Sequence, residues 1–323
     1  MKTGNKILVT FTILLPLCAS ANYEYEGEWG EYGAGNGQFD SPCNADLSGD
    51  GNVFVTDSYN ARIQYFTSTG SYLGQWNNAG LGTLQKPYAI AINPTDGGYL
   101  YVTEHTPINR VCYYTTAGSY VGTWGSYGSG NGEFERPVGI CVGYSGYVYV
   151  ADQVNHRIQY FNQTGSFLGK WGTEGSGNGE FYHPSAVIAA SNGDIYVADF
   201  GNSRIQYFTS TGSYLGQWGS YGTGNGQFFG PGGIDMDSSD NVFVSEYHNH
   251  RVQYFTSTGS YLGKWGSYGD GDGEFDYPRC VCVTDDGSCV YVVDTGNYRI
   301  QYFYEYDVNI APSSFGRIKA IYN

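Results

Sequence analysis

Asp199-Phe200-Gly201-Asn202-Ser203-Arg204-Ile205-Gln206-Tyr207-Phe208 recurs with small changes five more times along this 323-residue chain. The acids of the six copies are Asp57, Glu104, Asp152, Asp199, Glu246 and Asp294, and the arginines are Arg62, Arg110, Arg157, Arg204, Arg251 and Arg299. A second marker keeps step with them. Trp29, Trp76, Trp124, Trp171, Trp218 and Trp265 stand 47 or 48 residues apart. A fixed period of this length marks a repeat architecture in which each copy is one supersecondary unit. The copies span residues 22–303.

Each copy parses into four strands. A Gly-rich loop and a proline lead into a short apolar run such as Val138-Gly139-Ile140-Cys141-Val142. A turn follows, then an alternating run such as Tyr147-Val148-Tyr149-Val150, then Arg-Ile-Gln-Tyr-Phe, and a last turn into Tyr-Leu-Gly-Gln-Trp. Period-two alternation bounded by glycine turns is a strand signal. Six four-stranded antiparallel units predict an all-β fold, a six-bladed β-propeller. The last copy lacks its fourth strand, and Tyr25-Glu26-Gly27-Glu28-Trp29 matches the missing piece. The N-terminal strand is therefore expected to complete the last blade and close the ring, removing free edges. Residues 304–323 are read as a C-terminal tail.

Composition agrees. Forty-nine glycines and 33 tyrosines with 14% charged residues suit short strands and tight turns and argue against a helical bundle. A net charge of −15 is opposite to the basic footprint of a nucleic-acid binder, so that partner class is excluded. Residues 1–21 read as a secretory signal: Lys2 and Lys6, an apolar run from Ile7 to Cys18, then Ala19-Ser20-Ala21. The apolar run is too short to span a bilayer and no second run of spanning length follows, so no membrane insertion is expected. The chain is expected to be secreted, outside the cell or on the envelope exterior.

Export puts the remaining cysteines, Cys43, Cys112, Cys141, Cys280, Cys282 and Cys289, in an oxidising compartment. With Asp285-Asp286 at a hairpin turn, Cys282 and Cys289 would face each other as a candidate structural disulfide. The six read equally well as small buried hydrophobes. The absence of any Cys-x-x-Cys pair argues against a cysteine zinc site.

Pro-x-x-Ile, Tyr-Val-Ala-Asp and the segments Asn155-His156-Arg157-Ile158-Gln159-Tyr160-Phe161 and Asn249-His250-Arg251-Val252 resemble the NHL repeat. The resemblance implies a six-bladed propeller; it does not by itself imply an activity. NHL-type peptide-amidating lyases hold a catalytic metal with one histidine from each of several blades near the start of the inner strand. Here the residues after the repeat proline are Cys43, Tyr88, Val138, Ser185, Gly232 and Arg279, none of them histidine. Intracellular NHL propellers that bind RNA or serve ubiquitin transfer carry a different charge or a zinc domain, so their function is not carried over.

Residues that recur in every blade are expected to be scaffold, and those that differ between blades to mark a site. In propellers of this kind the loops before the first and third strands of each blade share one face. Blade 2 departs most on it. Trp76 to Pro87 is 11 residues where the other loops take 13, and Glu104 to Arg110 is six where the others take five. Tyr59, Tyr88, His105, Phe200, Tyr247, His248 and Arg279 are the candidate ligand-binding residues on this face. Tyr32, Tyr127, Tyr221 and Tyr268 recur in the Gly-rich loops and suit either recognition or packing. Glu104, His105, Glu246 and His248, from opposite blades, are the candidate metal ligands. Asp46-Leu47-Ser48-Gly49-Asp50-Gly51-Asn52 has the spacing of a calcium loop but sits where a hairpin turn is required. No cofactor is predicted; calcium or zinc are the ions such groups would take. No catalytic residue is assigned, because no Ser-His-Asp or Cys-His arrangement is present at motif level.

The reading is an exported, non-catalytic binding scaffold that recognises a protein or glycan partner around the central channel. The alternatives are a metal-dependent extracellular lyase or lactonase, and a structural component of a cell-surface assembly. Oligomeric state is left open by the sequence.

Overall fold

A computed structural model describes residues 22–78, 80, 82–93 and 98–306; residues 1–21 and 307–323, the expected signal and most of the expected tail, lie outside them. Each repeat forms one antiparallel sheet whose strands, a to d, run from the channel outward in chain order. Blade 1 is Pro42–Leu47, Val53–Asp57, Arg62–Phe66 and Tyr72–Trp76; blade 2 is Pro87–Ile92, Tyr99–Glu104, Arg110–Thr115 and Tyr120–Trp124. Blade 3 is Pro137–Val142, Val148–Asp152, Arg157–Phe161 and Phe167–Trp171; blade 4 is Pro184–Ala189, Ile195–Asp199, Arg204–Phe208 and Tyr214–Trp218. Blade 5 is Pro231–Met236, Val242–Glu246, Arg251–Phe255 and Tyr261–Trp265. Blade 6 takes Pro278–Val283, Cys289–Asp294 and Arg299–Tyr306 from one end of the chain and Asn22–Trp29, as its strand d, from the other. The ring is closed as expected. The closing pair is longer than the pattern implied, because Asn22 pairs with Tyr306, three residues into the expected tail.

The repeated residues have repeated jobs. Across each b–c hairpin the acid stands opposite its arginine, as Asp199 does to Arg204. Strand b is buried on both faces in blades 1, 3, 4, 5 and 6, which is why it reads as a nearly continuous Val-, Tyr- and Ala-rich run. In strand d a glycine lies opposite the strand-c tyrosine; a Cβ on Gly216 would meet the Tyr207 hydroxyl at 2.4 Å. The tyrosine ring thus occupies the space where a side chain would stand.

Packing is organised at the seams rather than within blades. Each of the six apolar clusters combines residues of two neighbouring blades, and together they make a ring of cores around the channel. Trp171 of blade 3 lies 5.7 Å from Phe208 of blade 4, and Phe181 of the intervening Gly-rich loop lies 5.5 Å from the same ring. Phe181 and Phe208 are fully buried, and burial of a ring of this size stabilises by roughly 1.5–3 kcal/mol. Blade 2 inserts Leu84 where the other loops insert phenylalanine.

The disulfide expectation is corrected. Cys43, Cys112, Cys141, Cys280, Cys282 and Cys289 are all free and buried. The turn after Val283 is closed by Gly287 N–H to Thr284 O and Thr284 N–H to Cys289 O, so Cys289 lies beside Thr284 and Cys282 pairs with Tyr291. The two thiols fill one apolar cluster as diagonal neighbours. Among the described residues no helix is long and apolar enough to cross a membrane.

Candidate functional site

The inner strands surround a channel of about 1320 Å³. Its geometry begins with one backbone irregularity. In blades 1, 4, 5 and 6 the residue after the repeat proline is left unpaired in a bulge between strands a and b, and in blades 2 and 3 the register shifts over the same two residues. In blades 1, 2 and 5 the N–H just past it is satisfied by a strand-b hydroxyl: Asn44 by Thr56 Oγ1 at 2.9 Å, Ala89 by Thr103 Oγ1 at 2.9 Å, Gly233 by Ser245 Oγ at 3.0 Å. Bulges re-aim side chains. Here they turn Tyr88 and Arg279 to the channel mouth, while Cys43, Val138, Ser185 and Gly232 leave space beside them.

Arg279 reaches from blade 6 across the small Cys43 of blade 1 to blade 2. Its Nη1 donates to the Tyr88 hydroxyl at 3.0 Å, and its guanidinium lies 5.6 Å from the Tyr88 ring and 5.4 Å from the Tyr247 ring. Phe200 stands 6.5 Å from Tyr247 and also lines the channel. The structure thus brings together Tyr88, Phe200, Tyr247 and Arg279 at one rim. His105 stacks on the outer side of Tyr88 at 5.0 Å, and burial lowers its pKa to about 4, so it is neutral at physiological pH. His248 packs on Phe229 at 4.4 Å, outside the channel wall. Tyr59 is exposed under Lys86, whose ammonium lies 5.5 Å from its ring.

The candidate metal ligands are not brought together. Glu104 and Glu246 are buried and ion-paired to Arg110 and Arg251, and His105 and His248 belong to separate aromatic stacks. Among the described residues no group of three or more His, Cys, Asp or Glu side chains is placed to hold a metal ion. The calcium-like segment is a tight hairpin, with Ser48 N–H on Asn52 O at 3.0 Å and Gly51 N–H on Ser48 O at 2.8 Å.

Blade 2 differs locally. Elsewhere the repeat arginine is saturated by loop carbonyls, as Arg62 is by Ala34, Gly35 and Gln38. In the shorter loop of blade 2, Glu104 is the one hydrogen-bond partner of Arg110 among the described residues, and Arg110 lines a small pocket with Gly82, Thr83 and Ile108.

Two sets of channel residues escape the comparison of loops. Arg136 and His183, from the position before the repeat proline, line the same mouth. Those positions hold Ser41, Lys86, Arg136, His183, Gly230 and Tyr277, so their variation was itself a signal. Deeper, Asp46 and Asp235 face the channel from strands a of blades 1 and 5. Asp46 accepts from Ile92 N–H at 2.6 Å, and Asp235 from Val283 N–H at 2.7 Å. Burial pushes their carboxyls up to about 7 and about 8, and for Asp235 the Asp46 carboxylate adds to it.

These two acids predict a pH dependence. The folded chain binds more protons than the unfolded chain between about pH 4 and the raised values near 7 and 8, so their contribution favours folding at acidic pH and is lost as pH rises through 7 to 8. Because channel water screens them, we expect about 1–2 kcal/mol from each rather than the full shift. The thermal midpoint should fall between pH 5.5 and 8.5, and the double variant Asp46→Asn/Asp235→Asn should flatten that slope. An unchanged slope would remove these carboxyls as its cause.

The geometry defines an all-β propeller of six blades with a channel of mixed polarity open to a loop-rich, aromatic face. Comparison with known proteins agrees. A family described as "6-bladed beta-propeller" matches residues 136–220, and the NHL repeat family matches residues 228–255. The chain is a six-bladed β-propeller that carries an NHL-type repeat. It is similar to human NHL repeat-containing protein 3, 41% identical over 76 residues, which are 23% of this chain and 21% of that protein. The match thus spans about a fifth of the relative's length. Among solved structures it resembles virginiamycin B lyase of Staphylococcus aureus with quinupristin, TM-score 0.58 and 18% identity over 84% of this chain and 85% of that one. It also resembles an auxiliary nutrient binding protein of Bacteroides thetaiotaomicron, TM-score 0.62 and 11% identity over 83% of this chain and 70% of that one.

Proposed function

We propose that the protein is an exported, non-catalytic binding scaffold that recognises a protein or glycan partner through the loop face around its channel. The observation that carries this reading is the convergence of Tyr88, Phe200, Tyr247 and Arg279 from four blades on one rim of the channel. Concave sites lined by aromatic groups with a few polar ones are the general form of ligand sites. The same face carries Tyr32, Tyr59, Tyr127, Tyr221 and Tyr268, each about two-thirds exposed. Such rings supply contact area at low entropic cost. Export rests on the signal-like residues 1–21. The nutrient-binding relative in fold supports a binding role by analogy of fold alone. A metal-dependent lyase or lactonase would require a donor set that the described residues do not assemble. A structural role in a surface assembly would show itself as self-association.

The test is to express the full chain in a secreting host and probe the released protein on glycan and peptide arrays. The released chain should begin at Asn22. Phe200→Ala/Tyr247→Ala should weaken the captured partner by tenfold or more, on the order expected for central aromatic contacts. Retention of the chain inside the cell would sink the export proposal. Capture that survives the double variant would place the partner elsewhere on the molecule.

A further inference from the structure

We propose that the channel mouth is a receptor for a small oxyanion, a carboxylate carried on a ring, held by Arg279 and Arg136. The inference rests on the reading of this face as a binding face and names the ligand class it takes.

Arg279 is built unlike the scaffold arginines. Arg62, Arg157, Arg204 and Arg299 each place Nε on a buried carboxylate at 2.7–2.8 Å. Arg279 has no carboxylate within 4 Å among the described residues, and its Nε is buried without an acceptor. A largely enclosed guanidinium whose partners are a phenol and two ring faces, with no counter-ion, has its desolvation only partly compensated. Such a group is completed by a ligand that brings the charge.

Charge is also sorted along the channel. The arginines of the wall, Arg279 and Arg136, lie at the mouth, whereas its acids, Asp46, Asp50, Asp235, Asp285 and Asp286, lie at the fifth position of strands a or in the hairpins beyond. Arg136, Lys86 and Arg279 all act on His105, and Arg136 and Arg279 both act on the Tyr88 phenol, so their positive fields overlap there. In a chain of net charge −15, a cationic mouth is a local feature set against the whole.

The shape of the remaining donors selects the anion. Nη1 is already engaged with Tyr88 and Nε is enclosed, which leaves the Nη2 end of a planar guanidinium, beside the Tyr247 phenol, rather than the several converging amides that cradle a tetrahedral phosphate. A flat carboxylate fits that end, with Arg136 at the same mouth as its second cation. Tyr247 and Phe200 flank it and offer ring faces to the body that carries the acid.

Calorimetric titration of the full chain with glucuronate, benzoate, glucose and inorganic phosphate at low salt tests the assignment. Glucuronate and benzoate should bind, weaken as salt rises, and lose about 10- to 100-fold in affinity with Arg279→Met, the loss expected for a charge-assisted hydrogen bond. Arg279→Lys should keep the fold and the charge yet bind about tenfold more weakly, and Arg136→Met should cost less than Arg279→Met. Binding of glucose as strong as that of glucuronate, or no binding of either acid, would overturn the proposal. So would carboxylate binding that Arg279→Met leaves unchanged. Phosphate binding tighter than the carboxylates would overturn the carboxylate assignment. If array capture persists in Arg279→Met while the acids do not bind, the binding face stands and this inference alone falls.

Discussion

Deleting Asn22–Trp29 is expected to abolish the folded ring. In five blades strand d follows strand c through a turn, so its pairing is local; in blade 6 strand d comes from the other end of the chain. That strand pairs with Arg299–Tyr306 from Asn22↔Tyr306 to Trp29↔Ile300, with a register shift between Tyr25 and Gly27. Its two ends also bridge to both neighbouring blades. Tyr23 stacks on Trp265 of blade 5 at 5.0 Å and meets Phe243 and Tyr254 edge-on at 5.5 Å, while its hydroxyl donates to Gly287 O at 2.8 Å. Trp29 lies 5.7 Å from Phe66 of blade 1, and Glu28 pairs with Arg299 at 2.6 Å. Losing a core aromatic side chain costs roughly 3–5 kcal/mol; Tyr23 and Trp29 are partly buried and fall at the lower end, yet together they approach the whole stability of a typical domain, about 5–15 kcal/mol. The deletion also bares the edge of Arg299–Tyr306 as a template for association. Urea unfolding followed by tryptophan fluorescence, with size-exclusion chromatography, checks this. We expect an unfolded or self-associating chain for the deletion and a loss of about 3 kcal/mol for Tyr23→Ala. A deletion variant that stays monomeric and within about 1 kcal/mol of the parent would show that closure is not what holds the ring.

Much of this fold is legible because the chain states it six times. The period, the strand-d match of Tyr25–Trp29 and the paired acid and arginine are each confirmed by register. Part of the site was legible for the same reason: where one position repeats as Cys43, Tyr88, Val138, Ser185, Gly232 and Arg279, what differs between blades faces something other than a blade. The meeting of Arg279 with Tyr88 was not legible. It depends on the bulges that turn both side chains to the mouth and on the smallness of Cys43 between them, neither of which periodicity encodes. Asp46 and Asp235 were hidden differently, because strand a is so enclosed that alternation does not separate channel-facing from seam-facing positions. For Cys282 and Cys289 the error was one of register: a turn closed by Gly287 N–H on Thr284 O sets the strands so that the thiols pass each other diagonally.

Asp199→Ala is expected to destabilise the protein by roughly 3–5 kcal/mol, more than any surface change on the same hairpin. Asp199 is fully buried and gathers four donors. Tyr182 N–H gives to Oδ1 at 2.8 Å; Asn202 Nδ2, Arg204 Nε and Gln206 Nε2 give to Oδ2 at 2.9, 2.8 and 3.2 Å. The arginine then carries the order outward, donating to the carbonyls of Ser176, Gly177 and Glu180 and to Gln217 Oε1 of strand d. One carboxylate thus ties strand b, strand c and the Gly-rich loop into a unit. Removing it strands a buried guanidinium and three further donors, which costs more than the pair contributes when intact. Asp199→Asn keeps an acceptor but loses the charge, and should fall between the parent and the alanine variant. A double-mutant cycle with Arg204→Met separates the two costs. If the stranded cation is the cause, Asp199→Ala/Arg204→Met will be more stable than Asp199→Ala alone. If the double variant is less stable by the sum of both single losses, the network acts only as independent hydrogen bonds, and the repeated pair is not the knot that sets this loop.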